Sequence, residues 1–146
     1  MRQRRAVARG RFVAEFGGKG NIESILQATS RARADLGVPE VENPWYFPSI
    51  AEYAHVLERA GLRVVRAQLF ERPTPLPGEE GLRLWLKMFG AGLLDGLSEE
   101  AQERVVESAE RQLRPRLYHD ASWTADYVGL RILAVKPWSR QTLGQA

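Results

Sequence analysis

The sequence predicts a single α/β domain in which three strands and about four helices follow in the order β-α-loop-α-β-α-α-β. Two observations carry this prediction. Segments that alternate between apolar and polar residues, as strands do, are separated by segments whose apolar residues recur every three or four positions, as in helices. The chain of 146 residues is also 44% hydrophobic and 27% charged, which is typical of one globular domain.

The first strand and helix occupy residues 11–36. Apolar side chains alternate over residues 11–16, and the glycine-rich turn 17–20 ends the strand. Asn21 then stands where an N-cap is expected, before apolar residues at helical spacing. We therefore expect Asn21 to cap this helix, with a contact to ligand as the other interpretation.

An aromatic loop and the clearest helix come next. Two prolines surround three consecutive aromatic residues in the segment 41–48, which neither a helix nor a central strand accommodates. Ser49 and Glu52 have the spacing of a capping box, and Gly61 follows the apolar stripe that they introduce. A structured loop followed by a well-capped helix is the expected result.

Two further strands are expected. Residues 62–70 form a β-branched run with partial alternation, and the proline-rich residues 72–78 then predict a loop. The last element, residues 123–136, has apolar side chains on both faces of its C-terminal half, as a central strand does.

Two helices lie between those strands. Residues 79–95 are apolar nearly all round, which requires cover on several sides, so Trp85 is expected in the core or facing a pocket. Ser98 is expected to cap the next helix, and Pro115 to end it. The glutamates of this helix indicate a solvated face and no metal site.

Composition excludes several classes of function. The chain has no cysteine and two histidines, which removes disulfides, thiolate catalysis and cysteine-based metal sites. Five of the 21 basic residues and none of the 18 acidic ones lie in residues 1–11, so the rest of the chain has 16 basic and 18 acidic residues and is not a nucleic-acid surface. A nucleic-acid contact through residues 1–11 is a weaker hypothesis, because five arginines without interleaved aromatic residues provide only salt-sensitive attraction to phosphates. No apolar run is long enough for a membrane span or a leader, and a cytoplasmic location is expected.

Four separated blocks resemble one family. They are GRFVAEFGGKGN, NPWYFPS with AEYAHVLERAGLRVVRAQLFERPTPL, GLRLWLKMFG, and SWTADYVGLRILAVKP. In this order they resemble the C-terminal half of class I S-adenosylmethionine-dependent methyltransferases, and most of all the trans-aconitate methyltransferase-like group. The resemblance covers residues 10–138, with an Arg-rich segment at residues 1–9 and a tail at 139–146.

The resemblance implies a partial Rossmann-like fold. Residues 11–16, 62–70 and 127–136 would correspond to the fifth, sixth and seventh strands of the family. They would form a three-stranded mixed sheet of order 5-7-6, with the last strand antiparallel between the others. The helices at residues 79–95 and 99–113 would cap the substrate pocket. The implied function is the substrate side of a methyltransferase acting on a small molecule, for which the nearest group suggests a carboxylate.

The departure from the family concerns the cofactor. S-adenosylmethionine is the implied cofactor, yet the expected glycine-rich turn between a first strand and helix is absent from residues 1–9. The cluster at residues 17–20 corresponds instead to the loop after the fifth strand. We therefore expect the cofactor-binding half to be missing from this chain.

A missing half would leave the first strand with an open edge. Backbone donors and acceptors beside the apolar side chains of Phe12–Phe16 would then lack partners. The expected partner is a second copy of the chain or a separate N-terminal half.

Candidate ligand contacts follow from the resemblance, while no catalytic residue is assigned. The loop after the first strand and the aromatic loop would line the acceptor side, although the aromatic residues could equally fill the junction between helices. A carboxylate acceptor would need a bidentate arginine. The candidates are Lys19, Asn21, Trp45, Tyr46, Phe47, Arg83 and Arg131.

Two readings of the whole chain remain. It is either the substrate side of a methyltransferase that becomes catalytic when a cofactor half is supplied, or a small-molecule-binding or dimerisation module that has lost catalysis. An upstream glycine-rich strand-turn-helix would favour the first reading.

Overall fold

The computed structural model describes residues 10–137, so the Arg-rich segment 1–9 and the tail 139–146 lie outside the described residues. The α/β class is confirmed, with four α-helices and six strands in this range. In chain order the elements are β1 (Arg11–Gly17), α1 (Glu23–Asp35), α2 (Ile50–Arg59), β2 (Arg63–Glu71), β3 (Thr74–Leu76), α3 (Gly81–Met88), a 3-10 helix (Ala91–Leu93), α4 (Glu99–Leu117), β4 (Tyr118–His119), β5 (Ser122–Ala125) and β6 (Val128–Val135).

The larger sheet has the order β1-β6-β2, as expected. Leu130 of β6 lies opposite Phe16 of β1 on one side and Leu69 of β2 on the other. Both pairings are antiparallel, so the expectation of a mixed sheet was wrong. The physical reason is that β1 and β2, which run in the same direction, are separated by β6 and never pair with each other.

Helix α2 covers one face of this sheet. Leu57 packs with Ile132 and Ala134 in a small core to which Phe12 and Tyr53 contribute. The predicted capping box is confirmed at the start of the helix, because the Glu52 N–H donates to Ser49 Oγ at 3.2 Å and the Ser49 N–H donates to Glu52 Oε2 at 2.6 Å.

A second layer contains the larger core, which α1, α3, α4 and β5 build together. Its small sheet, of order β3-β5-β4, was not predicted. The expected loop at residues 72–78 contains β3, where Pro75 is tolerated because β3 is an edge strand. The expected single strand 123–136 is two strands in different sheets, separated by Asp126 and Tyr127.

Two helix boundaries differ from the expectation. Helix α4 continues through Pro115 to Leu117. Pro115 has no N–H to donate to the Arg111 carbonyl, but Arg111 is exposed, so water can supply this hydrogen bond. The long helix expected at residues 79–95 stops at Met88 and is followed by the 3-10 helix. Gly90 makes this change of direction, because a Cβ there would lie 2.7 Å from the carbonyl oxygen of Leu86.

The start of α1 also differs, because the N-cap is Ile22 and not Asn21. Ile22 has φ 48° and is only 2% exposed, so burial of its side chain offsets the strain of a left-handed conformation. The Ser24 N–H donates to Asp126 Oδ2 at 2.9 Å, so a distant carboxylate serves the helix end. The Asn21 side chain is thereby left for another contact.

Across residues 10–137, no helix combines the length and apolar character that crossing a membrane requires.

Candidate functional site

A cavity of about 250 Å³ lies where the two layers meet, at the end of β1 and the start of β6. We call it the aromatic cleft. Seven residues line it: Asn21, Ile22, Trp45, Phe47, Trp85, Phe89 and Tyr127. Three of them, Asn21, Trp45 and Phe47, are residues that the sequence predicted for ligand binding.

The aromatic loop forms one wall of the cleft. The rings of Trp45 and Phe47 are nearly parallel, with an interplanar angle of 16° and centroids 5.9 Å apart. Tyr46, which lies between them in sequence, is 62% exposed and does not line the cleft. The loop is tied to the end of β1, because the Lys19 N–H donates to the Pro48 carbonyl at 2.9 Å.

Helix α3 forms the opposite wall. Trp85 and Phe89, one helical turn apart, have ring centroids 6.1 Å apart, and Trp85 lies 6.2 Å from Trp45. Trp85 is 6% exposed whereas Phe89 is 59% exposed, so this wall runs from the core to solvent. Trp85 therefore fills both expected roles, as a core residue and as a cleft residue.

Tyr127 was not among the predicted residues. Its phenol oxygen accepts the Trp85 Nε1–H at 2.6 Å, and its carbonyl accepts the Arg72 N–H at 2.7 Å. Its neighbour Asp126 is held by the Ile22 N–H, which donates to the Asp126 carbonyl at 3.0 Å. The break between β5 and β6 therefore fixes Tyr127 in the cleft, and the Asp126–Tyr127 pair between two apolar runs was the signal that could have located it.

Asn21 joins the cleft to the larger sheet. Its Oδ1 accepts the Val128 N–H at 2.8 Å, and its Nδ2 lies over the backbone of Gly17. A Cβ at Gly17 would lie 2.6 Å from Asn21 Nδ2 and 2.7 Å from Phe47 Cε1. Only glycine at this position permits the close approach that brings Asn21 and Phe47 together.

The two predicted arginines lie elsewhere. Arg83 bonds Glu103 and Glu110 between α3 and α4, with 2.8 Å to Glu110 Oε2. Arg131 bonds Glu15 Oε2 at 2.7 Å across the pair of β1 and β6. The structure therefore brings neither guanidinium to the aromatic cleft, and their role in ligand binding stays a prediction.

Lys19 is exposed beside the aromatic loop, and its side chain is not part of the lining. Only its backbone N–H contributes to the site, through the bond to the aromatic loop described above. Its role in ligand binding, like that of the two arginines, stays a prediction.

The ion pairs shift the acid–base behaviour of their members. Desolvation opposes the charge of Arg83, but the hydrogen bonds and charges of Glu110 and Glu103 outweigh it and raise its pKa. The hydrogen bond from Lys87 lowers the pKa of Glu103, with Arg83 contributing in the same direction. Arg83 and Glu103 are consequently charged at neutral pH and paired with each other.

Comparison with known proteins gives one informative similarity. A protein of Schizosaccharomyces pombe described as an uncharacterized methyltransferase is 35% identical to this chain over 85 residues. The match covers 56% of this chain and 32% of that protein, so the chain spans about a third of the relative's length. No protein-family model matches the chain.

The glycine-rich turn 17–20 does not fit the adenosyl cofactor that a methyltransferase implies. Such a turn binds with unengaged backbone N–H groups. Here the N–H groups of Gly18, Lys19 and Asn21 donate to the carbonyls of Val128, Pro48 and Gly18, at 2.9 to 3.0 Å. Gly18 is also buried, and a Cβ there would lie 2.5 Å from Leu69 Cδ1.

Within residues 10–137 no other segment is a strand-turn-helix of that kind. Helix α2 follows α1, α4 follows the 3-10 helix, and the turn between β3 and α3 contains a single glycine, Gly78. Within residues 10–137 there is also no group of three or more acidic, histidine or cysteine side chains that could hold a metal ion.

Proposed function

We propose that this chain is the acceptor-binding portion of an S-adenosylmethionine-dependent methyltransferase that acts on a small molecule. The observation that carries the proposal is the aromatic cleft, which is built from Asn21, Trp45, Phe47, Trp85 and Tyr127. The name of the S. pombe relative supports the reaction class. A non-catalytic binding module has no observation of its own in its favour.

Methyl transfer does not require the protein to form a covalent bond to the substrate. The acceptor has to be oriented and shielded from water, and no nucleophilic side chain is needed. The cleft suits this task because its walls are aromatic and Trp85, at its inner end, is 6% exposed. The residues of this chain would therefore bind and orient the acceptor, and the cofactor would be bound by protein outside residues 10–137.

The edge of β1 is where that protein would attach. Among residues 10–137, β1 pairs only with β6, and Val13 on this strand is 69% exposed. A free edge beside apolar side chains is a template for another strand. Because the chain spans about a third of its relative, we propose that a cofactor-binding polypeptide occupies this edge.

Calorimetric titration with S-adenosylmethionine tests the proposal. The 146-residue chain alone should give no saturable heat at micromolar concentration. A chimera in which the chain replaces the matching region of the S. pombe relative should bind the cofactor. Micromolar binding by the chain alone would place the cofactor site in this chain, and a chimera that fails where the intact relative binds would contradict the proposed role.

The edge contact is tested separately. In the chimera, hydrogen exchange at the β1 amides should be slower than in the isolated chain. A stable homodimer of the isolated chain in sedimentation would show instead that a second copy occupies the edge.

A further inference from the structure

We propose that the aromatic cleft selects a planar, uncharged, one-ring molecule carrying a hydrogen-bond-accepting oxygen, such as a carbonyl, which Asn21 and Tyr127 bind. The inference rests on the proposed function in taking this molecule to be the methyl acceptor. The hydrogen-bonded oxygen orients the ring, and the methyl group goes from the sulfonium to a separate nucleophilic group of the ligand, such as a ring hydroxyl, which loses its proton. Four properties of the cleft carry the inference: its aromatic walls, its two available donors, the neutrality of its lining and its size.

The walls favour a flat ligand. Trp45 and Phe47 are nearly parallel, with centroids 5.9 Å apart, so no further ring fits between them and a ligand must lie against their outer surface. Trp85 is inclined at 49° to Trp45 and offers a second contact surface. A planar molecule in this corner meets one ring face to face and another at an angle, which are both favourable aromatic arrangements.

Asn21 provides the first donor. Its carbonyl oxygen is engaged by the Val128 N–H at 2.8 Å, which fixes the amide with Nδ2 on the other side. Nδ2 carries two hydrogens, and no acceptor for either is found in the part of the chain that the structure describes. Asn21 lines both the cleft and the neighbouring groove that contains Gly17. Since its acceptor is occupied, the proposal assigns its Nδ2 donors to a ligand in the cleft.

Tyr127 provides the second donor by the same logic. Its oxygen accepts the Trp85 Nε1–H at 2.6 Å, and within residues 10–137 its own hydroxyl hydrogen has no acceptor. Two neutral donors in one cleft match a ligand oxygen with two lone pairs. They also disfavour an ammonium group, since donors face donors, although aromatic walls alone would attract a cation.

The charge of the lining decides between a neutral oxygen and a carboxylate. None of the seven lining residues is acidic or basic, and in the neighbouring groove that Asn21 and Tyr127 also line, the charged residues Glu15 and Arg72 pair with each other. Burying a carboxylate without a counter-charge costs far more than burying a carbonyl that is hydrogen-bonded. Because Arg83 and Arg131 pair with glutamates away from the cleft, the carboxylate suggested by the sequence resemblance has no guanidinium partner here.

The volume sets the size of the ligand. At about 250 Å³ the cleft is smaller than the roughly 300–1,000 Å³ of drug-sized sites. A molecule with a single ring and one short substituent is the appropriate scale.

Three matched ligands test the inference on the intact chain. Acetophenone has a ring and a carbonyl, ethylbenzene lacks the oxygen, and benzoate replaces the ketone with a carboxylate. Titrations followed by calorimetry and tryptophan fluorescence should give acetophenone the highest affinity, about tenfold above ethylbenzene. Ethylbenzene is the most apolar of the three, so equal or tighter binding of ethylbenzene would overturn the role of the donors, and tighter binding of benzoate would overturn the preference for a neutral ligand.

A matched pair of variants assigns the donor. Asn21→Asp keeps an oxygen for the Val128 N–H but replaces the donor with an acceptor and adds a charge. The ratio of acetophenone to ethylbenzene affinity, in which the effect of the charge on the cleft itself cancels, should fall about tenfold. Asn43→Asp is the control, because Asn43 accepts the Trp45 N–H at 3.0 Å in the same way but does not line the cleft. An unchanged ratio of the two affinities in Asn21→Asp would overturn the assignment.

If Asn21→Asp fails to fold, the three-ligand comparison on the natural chain decides by itself. None of these titrations measures methyl transfer. If the chimera binds the cofactor but the chain does not prefer acetophenone, the proposed ligand class is rejected and the methyltransferase proposal stands. If the chain prefers acetophenone but the chimera does not bind the cofactor, the methyltransferase proposal is rejected and the ligand class stands.

Discussion

Helix α3 contributes to two regions that differ in whether their polar groups are paired. On one side, Trp85 and Phe89 face the aromatic cleft, whose two donors have no acceptor within residues 10–137. On another, Arg83 and Lys87 join Glu103 and Glu110 of α4 in an ion-pair cluster, with 2.6 Å from Lys87 Nζ to Glu103 Oε1. Charged groups that satisfy one another have little left for a ligand, whereas neutral groups with one function engaged keep the other available.

Volume alone would favour a different cavity as the binding site. A groove of about 550 Å³ lies beside the ion-pair cluster, lined by Lys87, Ala91, Leu94, Glu99, Glu100, Gln102 and Glu103. It is more than twice the volume of the aromatic cleft. Its basic group is already paired with Glu103, and its glutamates would repel an anionic ligand. The chemistry of the lining therefore separates the two regions better than their volume.

The largest effect is expected inside the cleft, from Trp85→Ala. Removing a side chain that is 6% exposed, together with its hydrogen bond to Tyr127, should lower the free energy of unfolding by about 3–5 kcal/mol, as for other buried tryptophans. Urea denaturation measures this loss.

Phe89→Ala is the matched control for Trp85→Ala. Phe89 lies on the same wall but is 59% exposed, so the stability change should be less than about 1 kcal/mol. Equal stability losses in the two variants would mean that Trp85 is not anchored in the core as its burial indicates.

The sequence predicted those parts of the fold that local pattern controls. Alternation located β1 and β2, and the capping box located α2. The errors fall where distant contacts override local preference: Asp126 serves the start of α1 in place of Asn21, and pairing with two different sheets splits residues 122–135 into β5 and β6. Neither contact has a signature within a window of a few residues.

The residues of the site also differ in whether local pattern or distant contacts determine their place. Trp45 and Phe47 were predicted together with Tyr46 from the family resemblance, while two prolines indicated the loop that carries them. Three adjacent side chains cannot all face inward, and Tyr46 is the one that faces solvent. Tyr127 was not predicted: the local pattern marks only the break at Asp126–Tyr127, whereas the place of Tyr127 in the cleft depends on contacts with Arg72 and Trp85, 55 and 42 residues away. Arg83 and Arg131 were candidates for binding a carboxylate because the sequence does not show that glutamates of the same chain pair with them.

A smaller effect is expected from Arg83→Met in the ion-pair cluster. The change keeps most of the side-chain volume but removes the hydrogen bonds to Glu110 and Glu103, and should reduce the free energy of unfolding by about 1 kcal/mol. Affinity for acetophenone should stay within a factor of two, since Arg83 does not line the cleft.

Lys87→Met, at a half-exposed side chain, should cost less than Arg83→Met. A tenfold loss of ligand affinity in Arg83→Met would show that the two regions are coupled through α3.

The smallest effect is a pH dependence confined to the ion-pair cluster. Lys87, and then Arg83, lower the pKa of Glu103 in the folded chain, so the unfolded chain binds a proton more readily than the folded one. The stability that Glu103 adds is therefore complete at neutral pH and is lost as the pH falls through about 4 and below. The urea midpoint of the natural chain should be higher than that of Glu103→Gln at about pH 7, and the two midpoints should converge in acid. Ser49 lowers the pKa of Glu52 in both proteins, so Glu52 does not contribute to the difference between their midpoints.

The affinity for acetophenone should not follow this pH dependence, because no acidic or basic side chain lines the aromatic cleft. It should stay constant over the pH range in which both proteins remain folded. An affinity that changes with pH in parallel with the midpoint difference would place a titrating group in the cleft.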